Sequence, residues 1–143
     1  NFGAIARSAE CAGVDCIILP AKGGASITPD AIKTSAGALH YLPVCREKNV
    51  ISAVRFLKDN GYQIVAASEK AEISYTQADY TGPIAIVMGA EDIGISAEVR
   101  RLCDTMVSIP QFGNIGSLNV SVAAGVMMYE VVRQRLDANM NVK

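Results

Sequence analysis

The chain has 143 residues, half of them hydrophobic and 19% charged, with no tryptophan and a formal net charge of −1. That length supports one domain with its own core, the composition excludes a disordered tail, no apolar run approaches the ~18 residues of a membrane span, and the charge excludes a domain that grips nucleic acid by bulk electrostatics. Cys11, Cys16, Cys45 and Cys103 form no CxxC pair and have one histidine, His40, for company, so no metal site is expected and they read as reduced thiols of a cytoplasmic protein.

Phe2, Ile5, Ala9 and Ala12 keep one apolar helical face, so the chain opens at or just inside a helix. Asn1 is placed to cap it, and Arg7 lies off the apolar face, where its guanidinium fork can meet a phosphate. A capped helix with one solvated arginine is the plainer reading of the same residues. With no initiator Met, the chain is expected to be the remainder of a longer protein whose preceding strand lies upstream.

Short apolar runs at 14–20, 41–44, 62–67, 84–88 and 106–110 predict strands. Between the second and third, Val50, Val54 and Leu57 recur at helical spacing and close at Asn60-Gly61, the usual helix stop. Ile84-Ala85-Ile86-Val87-Met88 is apolar at every position instead of every second one, as strands are when helices cover both faces of a parallel sheet. The last helix is predicted from about 118 to 135, with Leu118, Val122, Val126 and Tyr129 or Val132 inward, before a polar tail. One α/β domain over 1–143 follows, a parallel sheet flanked by helices.

Two further segments hold more Gly, Asn and Ser than a regular α/β domain requires, and both sit at strand ends, where parallel sheets bind ligands. In Met88-Gly89-Ala90-Glu91-Asp92-Ile93-Gly94-Ile95-Ser96 the Gly-x4-Gly spacing suggests a phosphate loop, but the lysine that loop needs is missing. What remains is a backbone loop that can approach a flat ligand, with Glu91 near it; a plain turn capped by Ser96 is the alternative. The segment from Ile109-Pro110 through Gly113, Gly116, Ser117, Leu118, Asn119 and Ser121 has two loop glycines, then polar residues opening an otherwise apolar helix, and a function accounts for these better than packing does. Ala123, Ala124 and Gly125 mark close helix packing. His40 has no partner at a catalytic spacing and reads as a surface or packing residue. No GxGxxG follows a strand, which disfavours a dinucleotide enzyme.

In this order, Asn1-x-Gly3-Ala4-Ile5-x-Arg7-Ser8-Ala9, Ile86-Val87-Met88-Gly89-x-Glu91-x-x-Gly94, and Ile109-Pro110 through Ser117-Leu118-Asn119-Val120-Ser121-Val122-Ala123 resemble the three signature motifs of the SpoU (TrmH) branch of the SPOUT methyltransferases. Tyr129-Glu130 and Arg133-Gln134-Arg135 close the third. The resemblance covers essentially the whole chain and is strongest to the ribosomal-RNA guanosine 2′-O-ribose methyltransferases. Two departures stand out: the Asp-Pro before the first motif is absent, and Gln111 replaces the usual Met.

The resemblance implies a carboxy-terminal trefoil knot, a feature connectivity rules would never suggest. It implies S-adenosylmethionine as cofactor, held by backbone around Gly89, Ile109 and Leu118 and lined by Ala67, Met88, Pro110 and Ser117. It makes Arg7 the key catalytic residue, with Asn1, Glu91, Ser117 and Asn119 assembling the site. It also implies a homodimer in which Arg7 of one subunit serves the partner's cofactor, and an RNA substrate, ribosomal rather than transfer. The family proposal makes the arginine a base. Because deprotonating a guanidinium at neutral pH costs roughly 7–9 kcal/mol, a cation that clamps phosphate and stabilises developing alkoxide is preferred. Target selection is expected from an amino-terminal RNA-binding domain or a basic strip using Arg46, Arg55, Arg100 and Arg101. A catalytically inactive RNA- or cofactor-binding paralogue is the alternative, against which the full set of polar motif residues argues.

Overall fold

The computed structural model describes residues 1–21, 27–89 and 94–140. Helix α1 (Phe2–Cys11) leads through Gly13 to β1 (Ile17–Pro20); α2 (Pro29–Thr34) and a 3₁₀ turn (Ala38–His40) precede β2 (Val44–Glu47), α3 (Val50–Asp59), β3 (Gln63–Ala67) and the short β4 (Ile73–Ser74). β5 (Ile84–Val87), α4 (Ala97–Leu102), β6 (Thr105–Ser108) and α5 (Val120–Asp137) complete the order. Every strand pairing is parallel: β1 with β2, and a four-stranded sheet in the order β4-β6-β3-β5. No helix among the described residues is long and apolar enough to cross a membrane.

The central strand explains the layering. On β3, Ile64 packs with Val54 of α3 and Val99 of α4, while the next residue, Val65, packs with Val107, Met127, Val131 and Tyr80 beneath α5. Successive side chains of a strand point to opposite faces, so continuous apolarity here records a cover on each side. Ile64, Val65 and Ala66 are completely buried; each of the two larger side chains contributes at most about 1.5–3 kcal/mol by removal from water. On the α5 side, Ala6 and Ala9 of α1 meet Ala124 and Met128, joined by Leu42, Ile17, Ile86 and Met88. Small residues let the two helices approach closely, as 123–125 suggested.

Local signals set the helix boundaries. Gly13 at φ +81° and Gly61 at φ +87° adopt the left-handed conformation just past α1 and α3. Val14 N–H then donates to the Ala9 carbonyl and Tyr62 N–H to that of Leu57, the paired closure that left-handed C-terminal residues permit. The α1 closure holds Val14 at the helix end, which is why β1 starts at Ile17 and not at 14.

The predicted strand at 41–44 is displaced to Val44–Glu47. Leu42 and Ala38 anchor the 3₁₀ turn in the core and occupy the apolar run that resembled a strand, while β2 itself is largely exposed and polar. Asn1 is the N-cap residue of α1 but makes no side-chain capping bond. The predicted inner face of α5 is also corrected: the buried residues are Ala124, Met127, Met128, Glu130 and Val131, whereas Leu118, Val122 and Tyr129 are exposed. The helix is apolar almost all round, so its periodicity does not select a face; the α1 and β3 contacts do.

Gly3 lies where α1 crosses α2. A Cβ there would fall 2.5 Å from the Ala31 carbonyl oxygen and 2.8 Å from Thr34 Cβ. Gly3→Ala is therefore expected to destabilise the fold by about 1–3 kcal/mol through overpacking, read as a lower denaturation midpoint; an unchanged midpoint contradicts the crossing geometry.

Candidate active site

The carboxyl ends of β3, β5 and β6 lie side by side, with Ala66 registered on Val87 and Ala67 on Val107. Just beyond them Ala67, Met88 and Ile109 enter one cluster with Met127 and Val131 of α5, giving an apolar floor at the strand ends. Ser68 N–H donates to the Val107 carbonyl and Tyr75 N–H to that of Ser108, which holds the β3 and β6 exits together. The structure thus assembles three of the residues expected to line a cofactor.

Gly89 follows directly. A Cβ on it would lie 2.6 Å from the Gly94 carbonyl carbon and 2.9 Å from Ile95 N. Both flanks of this loop therefore touch through backbone, which is the use of glycine here. Gly94 itself has φ +76°. Ser96 caps α4 through its Oγ, as the plain reading of that segment held. Glu91 lies outside the described residues.

From β6 to α5 the chain runs through 110–119, exposed at every position; Pro110 directly follows the strand-end residue Ile109, whereas Ser117 and Leu118 lie just before α5 and make no described contact with the strand ends. Asn119 Oδ1 accepts from Ser121 N–H at 2.9 Å and from the Ser121 hydroxyl, fixing the amino-terminus of α5. No amide or carbonyl of 109–118 enters a backbone hydrogen bond with the described residues. Those groups remain available to water or to a ligand.

Arg7 belongs to α1 and Asn1 is its N-cap residue; the helix packs in a cluster that shares Met88 with the cluster at this end of the sheet. Arg7 is exposed and borders a hollow of about 150 Å³ with Glu10, Cys11, Ser35, Ala36, Ala38 and Tyr41, on the α2 side of α1. A larger hollow of about 400 Å³ opens beside it, lined by Ile27, Ile32, His40, Tyr41 and Val44 among others. Neither is bordered by the strand-end residues, so within one chain the structure does not join Arg7 to Ala67, Gly89 or Ile109. The strand ends, unlike these hollows, unite an apolar floor with unengaged backbone.

Sequence reasoning missed what holds the crevice from behind. Gln134 accepts from Tyr80 N–H at 2.8 Å and donates to the Ala78 carbonyl at 2.9 Å, while Arg135 donates to the Gly82 carbonyl at 2.8 Å. Tyr80 is fully buried with its hydroxyl donating to the Tyr75 carbonyl, and burial, with Glu130 and Tyr75 nearby, pushes its pKa up to about 12. Glu130, also buried, accepts from Arg133 at 2.7 and 2.9 Å and from Gln134 at 2.9 Å. The Glu-x-x-Arg-Gln-Arg string was the available signal; its role depends on a segment some fifty residues away.

The Arg133 hydrogen bonds hold the Glu130 carboxyl below its ordinary range, with burial opposing and Gln134 assisting. A depressed folded pKa stabilises above the unfolded value, and that stability is lost as pH falls through the folded one. Thermal midpoints from neutral pH down to below the ordinary glutamate range, about 4.3, are expected to fall less in Glu130→Gln than in the unaltered chain. Parallel curves contradict this linkage.

A parallel α/β sheet flanked by helices, with an apolar floor and two glycine-bearing connections at its carboxyl edge, has the arrangement at which open parallel sheets bind ligands. The chain belongs to the SpoU rRNA Methylase family, whose sequence profile matches residues 1–129. It is 42% identical over 135 residues to the 23S rRNA (guanosine-2′-O-)-methyltransferase RlmB of Shewanella oneidensis and to that of Yersinia pestis, covering 94% of this chain and 55% of each relative. Among solved structures it superposes on the SpoU methyltransferase AviRb of Streptomyces viridochromogenes in complex with AdoMet, with a TM-score of 0.85 and 33% identity over 94% of this chain and 53% of that one. The A. aeolicus TrmH/SpoU tRNA modifying enzyme gives 0.83 and 32%, over 97% and 71%. The chain spans about half the length of the RlmB relatives it matches.

Proposed function

We propose that this chain is the catalytic domain of an S-adenosylmethionine-dependent RNA methyltransferase that modifies a ribose 2′-hydroxyl, in ribosomal RNA and at guanosine, as in the RlmB relatives. The observation that carries it is the meeting of Ala67, Met88–Gly89 and Ile109 at three adjacent strand ends. The chemistry of this crevice fits the cofactor. Ala67, Met88 and Ile109 offer an apolar face to an adenine ring, and the unengaged amides and carbonyls of 109–118 offer partners for its polar edges. When bound, that cofactor supplies an electrophilic methyl on a sulfonium sulfur.

The protein's own task is to align the ribose oxygen with that methyl, which contributes several kcal/mol when attack geometry is held. Arg7 clamps the RNA phosphate and stabilises the alkoxide as the hydroxyl proton leaves. Asn1, Ser117 and Asn119, with Glu91, position the groups around it.

Because one chain separates Arg7 from the strand ends, the complete site belongs to a homodimer. Val122, Tyr129 and Leu136 support this, recurring every seventh residue on the exposed side of α5, a spacing that keeps one helix face toward a partner. A carboxy-terminal trefoil knot accompanies the family fold, in keeping with an α5 that returns onto α1. The cytoplasm is its place of action.

The test is transfer of labelled methyl groups from S-adenosylmethionine to total RNA from cells lacking the protein. Label in 2′-O-methylguanosine is expected; label on a base, or none, overturns the proposal.

A further inference from the structure

Tyr41 is 80% exposed, yet its backbone is rigid: its N–H donates to the Ala38 carbonyl, the next N–H does the same, and Leu42 and Ala38 are buried. A large aromatic face held out by a fixed turn is an organised stacking surface, because little freedom is lost when a planar group lies on it. The ring borders the hollow of about 150 Å³ whose opposite wall is α1, and it is shared with the larger hollow behind. The small hollow lies below the range of a drug-sized ligand site and suits a single planar ring system.

On α1, Arg7 and Glu10 border the same hollow three residues apart, but neither side chain makes a hydrogen bond or ion pair with the other or with any described residue. A cation and an anion left unengaged beside an exposed aromatic match the three faces of a nucleotide. The guanidinium takes the phosphate and the ring takes the base. The carboxylate, an acceptor only, takes adjacent N–H donors. Guanine alone among the common bases presents two such donors together, its ring N–H and its amino group.

We propose that the hollow between α1 and the 3₁₀ turn receives an unpaired guanine of the RNA next to the methylated nucleotide, with Tyr41 as its stacking platform, Glu10 reading its Watson–Crick edge and Arg7 on its phosphate. This rests on the RNA methyltransferase reading and adds the subsite that selects sequence around the target.

The experiment measures binding of short single-stranded oligouridylates carrying one central guanosine or inosine, by fluorescence anisotropy, alongside calorimetry with S-adenosylmethionine and light scattering. Tyr41→Ala is expected to weaken the guanosine oligonucleotide about 5- to 150-fold, the range of one stacked base, with Tyr41→Phe restoring it. Glu10→Gln is expected to weaken the guanosine oligonucleotide more than the inosine one, which keeps the ring N–H but lacks the amino group, and so to narrow the preference for guanosine. Unchanged affinity in Tyr41→Ala overturns the proposal, as does dissociation of a dimer in that variant, which would assign the tyrosine to a second copy of the chain. Should the oligonucleotide effects hold while the unaltered chain neither binds S-adenosylmethionine nor transfers methyl, the subsite stands and the methyltransferase reading falls.

Discussion

Replacing Arg7 by alanine is expected to abolish methyl transfer, by at least about 10²-fold, and to leave affinity for S-adenosylmethionine within a few-fold. Arg7 is an exposed residue of α1 that borders a hollow away from the strand ends, so its loss removes no wall of the crevice proposed to hold the cofactor. On the proposed function, what disappears is the cation that faces the RNA backbone and the developing alkoxide. Calorimetry on the variant separates the two roles: cofactor binding lost together with turnover would assign Arg7 to the cofactor pocket and refute this division of labour. Lysine is not an adequate replacement, since a point charge on a flexible stem lacks the planar fork that fixes a phosphate by two parallel bonds.

Gly89→Ala is expected to act at the other half of the site. The new methyl would stand 2.6 Å from the Gly94 carbonyl carbon and 2.9 Å from Gly94 Cα, and both are backbone. The loop must spread to admit it, at a cost of about 1–3 kcal/mol for overpacking, and the spreading displaces the backbone groups that face the ligand. S-adenosylmethionine affinity should drop by tenfold or more, with a far smaller effect on the oligonucleotide binding assigned to Tyr41. A variant that binds the cofactor normally would remove the loop from the cofactor site. Together the two substitutions test the proposed division into a nucleic-acid half on α1 and a cofactor half at the strand ends.

Much of this arrangement was legible beforehand, for reasons that differ by element. β3, β5 and α3 announce themselves because a doubly covered strand and a one-faced helix impose opposite apolar patterns, and Gly61 ends α3 where a left-handed residue is required. The three motif segments stand out by their Gly, Asn and Ser content, although Gly3, Gly89, Ser96 and Asn119 also serve packing or capping. β2 is misplaced because Tyr41-Leu42-Pro43-Val44 has the composition of a strand, and its turn becomes visible only when Leu42 finds the α1–α5 core. The inner face of α5 is undecidable from a helix apolar on all sides. Tyr41 and Glu10 carry no local signature at all: an outward aromatic and a lone carboxylate acquire meaning from each other, across a distance in sequence that no motif spans.

The grip of Gln134 and Arg135 on the 78–82 backbone joins positions more than fifty apart in the chain. Bringing such distant groups together costs loop-closure entropy before any contact repays it. The segment entering β5, the hydroxyl of Tyr80 and the final turns of α5 are therefore expected to order together, late in folding. A fluctuation that loosens the end of the last helix therefore also loosens the segment that leads into β5, the strand from whose far end Met88 and Gly89 follow.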